Sequence, residues 1–491
     1  MLFNSVLFIT QFLPIALLGW YGLQQLKNPA YAKVFLIGMS FWFYGYYNPW
    51  YLGILIGSLL LNYGCNVAFE RFPSQKGQKL VLLLGMVGNL GLLFYFKYFN
   101  FFLDNCNFFL HTDWHVEKIA LPLGISFFTF QQISFLVDRY RKKAPCYGML
   151  DYTCFITFFP QLIAGPIVLH DEFIPQLQAR KNRKPEWEHF FDGAALFILG
   201  LAKKVLLADV LALLVNAVYD DIAIIPYYLD AISGWITAIS YVLELYFDFS
   251  GYCDMARGIG RMFGFELPEN FDSPLKAVSV RDFWSRWHMT LSRFLTTYIY
   301  IPLGGNRKGL AFKCRNILIV FLVSGFWHGA NWTYVVWGLL HGVAMVWETL
   351  FPKLRFRSER LNRLVTEIFF TLTLVFFRSD SLKTAGIMLK KLFAGGFSGY
   401  FFTLCSKMQI PENFALIKLL QLKFPAYLTV FYVFCVALLL FIAIRLAYGC
   451  KAEVWIERKG RTVFGTFLLA TLFVWSLISL SQVSTFLYFD F

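Results

Sequence analysis

Residues 281–309 read RDFWSRWHMTLSRFLTTYIYIPLGGNRKG, and after a short basic linker residues 315–342 read RNILIVFLVSGFWHGANWTYVVWGLLHG. The second stretch decides the fold. It belongs to an apolar, aromatic run, residues 316–350, that is long enough to cross a bilayer twice as a helical hairpin. Inside it stands His328, in Phe326-Trp327-His328-Gly329-Ala330-Asn331. An ionisable side chain at that depth in a hydrophobic span is costly and is a functional-site candidate by default. Of the chain's seven histidines, His288 and His341 fall in the same region.

Working outward, the composition agrees with a membrane environment. The 491 residues are 58% hydrophobic and 15% charged, where a soluble domain is usually about 25% charged. Apolar runs of about 20 residues recur along the chain, which is the length a helix needs to span the hydrocarbon. A transmembrane barrel would need short strands of alternating polarity, and the pattern lacks them. The net charge of +14 does not indicate nucleic-acid binding, because the basic residues form short clusters between apolar runs, as cytoplasmic loops do. The nine cysteines are scattered without a CxxC pair, so a disulfide framework or structural zinc site is not expected. No His-Glu-x-x-His motif is present, and no metal is expected. The N-terminal apolar run lacks a charged n-region and a small-residue cleavage site and is expected to be a retained span.

Spans are expected at about 5–23, 34–47, 51–69, 80–96 and 119–137, then at 193–218 and 227–246, twice within 316–350, and at 364–377, 427–446 and 463–480. Lys/Arg-rich loops after the first, third and fifth spans place those loops in the cytoplasm. Residues 100–117 are then an outside loop, and both chain ends lie outside. The run 152–169 has basic loops on both sides and contains Pro160, Gly165 and Pro166. It reads as a re-entrant element, the alternative being an ordinary kinked span. Lys203 and Lys204 are expected to snorkel to the interface. Residues 247–315 are too polar to span and too aromatic for a free loop, and 282–300 fit helices lying in the cytoplasmic interface. The whole is an all-α polytopic membrane protein of about 10–12 transmembrane helices plus re-entrant and interfacial helices. It is organised as one domain over residues 1–491, with an aromatic tail at 486–491.

Several side chains in this frame can carry chemistry. His328 is either a hydrogen-bonded interior histidine or, if neutral in its pocket, a general base. Gly329 beside it allows close approach, and Asn331 can orient an imidazole or polarise a carbonyl. His288 lies beside Arg281, Arg286 and Trp287 on an interfacial helix. Arginines at a membrane face suit either an anionic ligand, such as a nucleotide carrier's phosphates, or lipid headgroups. Residues 302–309 hold Asn306 and Arg307 in a Gly-rich loop that can cradle phosphate, a weak signal alone. Asp248 and Asp254 are acid–base groups or, as the better reading, partners for Arg257, Arg261 or Arg281. His341 reads as structural. These residues fit an integral-membrane transferase with a phosphate-bearing donor, or a transporter or flippase of an anionic solute.

Seven segments carry a resemblance: PLGISFFTFQQISFLVDRYR, FFPQLIAGPI, LYFDFSGYCDMARGIGRMFGF, NFDSP, DFWSRWHMTLSRFLTTYIYIPLGGNRKG, FWHGANWTYVVWGLLHG and FFRSDSL. In order and content they resemble the membrane-bound O-acyltransferase family, in particular its bacterial branch of alginate and peptidoglycan O-acetyltransferase membrane subunits. The resemblance implies a central tunnel through the bilayer, an acyl-CoA donor and delivery of the acyl group to a hydroxyl outside. The family's near-universal histidine falls on His328 and the branch's second active-site histidine on His288. Alginate-type members resemble FFPHLIAGP, whereas this chain has Gln161, which points away from alginate as acceptor.

The tail Phe486-Leu487-Tyr488-Phe489-Asp490-Phe491 resembles the ending of many branch members. By analogy with the related D-alanylation system it makes Tyr488 a candidate acyl carrier, or else an aromatic interface anchor. The implied function is O-acetylation of an exported or cell-wall polysaccharide at a bacterial inner or plasma membrane, with D-alanyl transfer to teichoic acid as the alternative. Acetyl-CoA is then a donor substrate and no cofactor is permanently bound. The expected partners are the lipid bilayer, the polysaccharide acceptor and a secreted or membrane-anchored acetyltransferase- or esterase-like protein.

Overall fold

The computed structural model describes residues 1–117, 119–179, 184–222, 224, 228–480 and 486–487. Helices dominate, and the one β-bridge among the described residues is the isolated pair Phe271–Trp287. The chain forms two compact, discontinuous units. One comprises Met1–Phe197, Tyr252–Asn270 and Thr290–Pro302, the other Ile198–Gly251, Phe271–Met289 and Leu303–Phe491. Four helices are, by length and composition, able to cross a membrane: Pro49–Arg71, Gln75–Leu110, Leu310–His328 and Pro425–Ala447. Val463–Ser479 is a shorter apolar helix. Their outward faces are large and apolar, with Val87, Val430 and Phe467 all exposed. That distribution suits lipid rather than water.

In the first unit an aromatic core forms around Phe159, whose ring lies 5.2 Å from Phe12, 5.4 Å from Phe43 and 5.7 Å from Phe263. Where apolar helices meet, buried amides join them. Asn62 and Asn89 exchange hydrogen bonds of 3.1 and 2.7 Å, and Gln132 Oε1 accepts from Ser58 at 2.7 Å. Such bonds serve as polar attachments between helices that the hydrophobic effect cannot hold together in lipid.

The run 152–169 does break. Helix Met149–Thr157 stops at Phe158, Phe159–Leu162 makes one turn, and helix resumes at His170. Nine residues of helix rise only about 13 Å, too little to cross the hydrocarbon. Residues 152–168 are all buried. The non-helical part is satisfied by side chains, as Ile167 donates to Thr290 Oγ1 at 3.0 Å and accepts from Arg293 at 3.1 Å. Irregular backbone is tolerated at membrane depth only with this kind of cover.

Other expectations are corrected. Residues 100–110 are helical, continuing from Gln75 through a π-turn at Phe94–Tyr98, because FNFFLDNCNFFL keeps helical apolar spacing past its single Asp. The span expected at 227–246 extends as Ala231–Met262 and carries FDFSGYCDMARG within it. Lys204 does not snorkel. Its ammonium lies 2.7 Å from Asp209 and 2.6 Å from Asp248, with the side chain 4% exposed. Asp248 therefore pairs with a lysine far back in sequence. The guanidinium of Arg257 donates to Leu267 O at 3.3 Å, and Arg261 pairs with Glu266 at 3.0 Å.

The predicted hairpin is present as Leu310–His328 and Trp332–Leu350. A Cβ on Gly325 would stand 2.3 Å from Tyr334 O, and one on Gly338 2.4 Å from Phe321 O. Only glycine lets the two backbones approach this closely. Gly338→Ala is expected to lower stability by about 1–3 kcal/mol or more, the range for overpacking. Gly53→Ala, whose added Cβ meets nothing within 4 Å, is expected to leave stability unchanged or raise it. Thermal unfolding in detergent distinguishes the two.

Candidate active site

His328 is the last residue of its helix, where Gly329 turns the chain to an extended conformation. Its ring is edge-on to Trp337 at 5.1 Å and to Phe377 at 5.2 Å, with Trp327 at 4.9 Å. His288 follows the short helix Val280–Trp284, whose start is capped by Ser279. Its backbone is left-handed, φ 45°, a conformation non-glycine residues rarely adopt and one found at functional sites. Phe249 stands edge-on to it at 4.8 Å. The His288 and His328 rings are 6.5 Å apart, and the residues are 0% and 3% exposed. Two imidazoles thus share one aromatic enclosure in the second unit. Burial pushes His288 from the ordinary 6.5 down to about 3, so it is neutral near pH 7.

His341 is held differently. Trp284 Nε1 donates to its Nδ1 at 3.2 Å, and an indole nitrogen can only donate. The proton is therefore on Nε2, which donates to Thr373 Oγ1 at 3.0 Å, while that hydroxyl donates to Phe370 O at 2.9 Å. Both ring nitrogens are occupied, as a structural histidine requires.

The remaining sequence-selected residues separate. Arg281 donates to Thr349 Oγ1 at 2.8 Å and its amide to Glu348 at 3.1 Å. Arg286 binds Asp282 at 2.7 Å and Asp272 O at 3.3 Å. Trp287 is buried and stacks on Phe283 at 5.5 Å. Asn306 and Arg307 are exposed in the turn after Pro302. Asn331 caps the helix it precedes, accepting from Thr333 N at 3.0 Å, and its Nδ2 donates to Asp380 O at 2.7 Å. Gln161 is buried in the first unit and donates to Phe155 O at 2.6 Å. Tyr488 lies outside the described residues. The tail just before it is described: Phe486 is 3% exposed with its ring 5.9 Å from Phe249, and Leu487 N donates to Asp248 Oδ2 at 3.1 Å. Sequence reasoning missed Phe249, Trp337 and Phe377 as the enclosure, and Lys204 as Asp248's partner.

The model of MBOAT, the membrane-bound O-acyltransferase family, matches residues 36–377, which include both histidines. A peptidoglycan O-acetyltransferase of Helicobacter pylori is 42% identical over 421 residues, covering 79% of this chain and 79% of that protein. A probable alginate O-acetylase AlgI of Pseudomonas putida is 37% identical over 407 residues, 81% of each chain. A teichoic acid D-alanyltransferase of Streptococcus thermophilus is 28% identical over 239 residues, 46% of this chain and 56% of that protein.

Between about pH 3 and 6.5 the unfolded chain binds a proton at residue 288 that the folded chain refuses. Stability therefore falls on acidification below 6.5, by up to roughly 1.4 kcal/mol per pH unit from this group. His288→Asn keeps a residue that accepts left-handed backbone and removes the titration. Its thermal unfolding temperature is expected to drop less than the wild type's between pH 7 and pH 5.

Proposed function

The chain belongs to the membrane-bound O-acyltransferase family and is a membrane-embedded O-acyltransferase, and from that premise we propose that it moves an acetyl group from cytoplasmic acetyl-CoA to an exported or cell-wall polysaccharide. The setting is a bacterial inner or plasma membrane, which the chain crosses many times. The observation that carries the reading is the pair His288 and His328, 6.5 Å apart in one buried enclosure, with Phe486 packed beside it on Phe249.

His328 is the base. It takes the phenolic proton of Tyr488, whose ordinary pKa near 10 makes it a poor nucleophile at neutral pH. The phenolate oxygen attacks the thioester carbonyl, the C–S bond breaks, and the proton passes from His328 to the departing thiolate. Tyr488 then holds the acetyl group as an ester and releases it to a sugar hydroxyl, directly or through a secreted partner, regaining a proton. Neutral His288 supplies a hydrogen bond within the same enclosure. Arg281, Arg286 and Arg307 supply positive charge for the donor's phosphates and Asn306 a neutral amide beside Arg307, with Trp287 and Asn331 fixing the flanking elements. Gln161 in place of the alginate-type histidine favours a cell-wall acceptor, as does the greater identity to the peptidoglycan enzyme. O-acetyl transfer is preferred over D-alanyl transfer because the O-acetylating relatives match over four-fifths of the chain and the D-alanylating one over less than half.

His328→Ala is expected to lower acetyl transfer by about a hundredfold or more, the usual worth of a general base, while acetyl-CoA binding by calorimetry is retained. Tyr488→Phe keeps the ring and removes the nucleophile. Mass spectrometry of the wild type with acetyl-CoA should find an adduct on the C-terminal peptide, absent in the variant. Full acetyl transfer by Tyr488→Phe would remove the carrier step.

A further inference from the structure

We propose that Lys204, Asp209 and Asp248 form a buried latch that holds the C-terminal segment against the histidine enclosure. The inference rests on the carrier role of Tyr488 and adds how that residue is positioned. These three side chains are 4%, 7% and 1% exposed, and the ammonium bridges both carboxylates. A charge cluster this deep is costly to assemble and stabilises little by itself, so its use is in what it orients. The two oxygens of Asp248 divide the work. Oδ1 lies 2.6 Å from Lys204 Nζ, and Oδ2 accepts the Leu487 amide at 3.1 Å. Hydrogen bonds to a charged acceptor are about twice as strong as neutral ones, and this one acts on main chain, so it constrains the segment whatever its side chains do. One residue earlier, Phe486 packs on Phe249, which stands edge-on to His288. Asp248 and Phe249 are neighbours on the helix Ala231–Met262. That helix therefore grips the tail twice, once by charge and once by ring, immediately before the residue proposed to carry the acetyl group. Lys204, Asp209 and Asp248 are positioning residues and touch no reacting atom.

The division of oxygens makes a selective test possible. In Asp248→Asn only one side-chain atom can accept. The lysine claims it, and the amide NH2 is left facing the Leu487 N–H, donor against donor. Lys204 keeps Asp209, so no ammonium is stranded. Hydrogen exchange at the Leu487 amide, read by mass spectrometry on the full-length protein in detergent, is expected to speed up roughly ten- to a hundredfold, the worth of a hydrogen bond to a charged group. Leu487→Pro deletes the donor and leaves the two Lys204 ion pairs in place. It is expected to lower the rate of acetyl adduct formation on Tyr488 about tenfold or more. Leu487→Ala keeps the N–H and is expected to form the adduct as the wild type does, which a loss of side-chain packing alone would not allow. Unchanged exchange in Asp248→Asn, or a wild-type adduct rate in Leu487→Pro, overturns the latch. A wild type that forms no adduct on Tyr488 removes the carrier step instead, and exchange at Leu487 in Asp248→Asn still decides the latch.

Discussion

The crossing of two helices at Gly325 and Gly338 fixes where His328 stands in the second unit. With no side chain between the backbones, His328 at the end of one helix meets Trp337 on the other at 5.1 Å. Trp337 also lies 4.9 Å from His341, which is locked between Trp284 and Thr373. The imidazole of residue 328 is thus seated by a rigid aromatic wall rather than by a flexible loop. A site built on packed helices holds its geometry more tightly than one on connections, as the proposed proton transfer at His328 would require.

His288 reaches the same enclosure by a different route. It sits at a left-handed turn between short helices, and the strain there is held by surrounding contacts. Asp272 N donates to Arg286 O at 2.8 Å, Thr349 and Glu348 grip Arg281, and Phe283 stacks on Trp287. The basic and aromatic side chains that look in sequence like a ligand surface thus also brace the turn.

Much of this was legible in the residues because the signals are local. Hydropathy alone marks the hairpin within 316–350 and the last apolar helices, and Pro160, Gly165 and Pro166 mark the segment that breaks. His328 stands out because its neighbours are apolar. What was not legible depends on distant pairing. Nothing near Lys204 says that its ammonium will meet Asp248, and a lysine close to a span's end ordinarily reaches for the interface. The continuation of helix through residues 247–262 was masked by its charges, which make the stretch too polar to span until Asp248 and Arg257 are seen turned into the protein. Asn331 looked like a partner for an imidazole and caps a helix instead, because the residue before Trp332 must satisfy its free amides.

The continuous helix Gln75–Leu110 has a consequence of its own. At 36 residues it is about 54 Å long, against roughly 30 Å of hydrocarbon. It cannot lie upright within the apolar layer. Either it inclines steeply or its last turns bend at the π-turn Phe94–Tyr98 and run along the lipid surface, where the exposed Phe108, Phe109 and Leu110 would sink among the headgroups. Both arrangements couple the helix to bilayer thickness. Lipid acyl-chain length is therefore a physical variable for this enzyme, acting through hydrophobic mismatch on the unit that carries this helix.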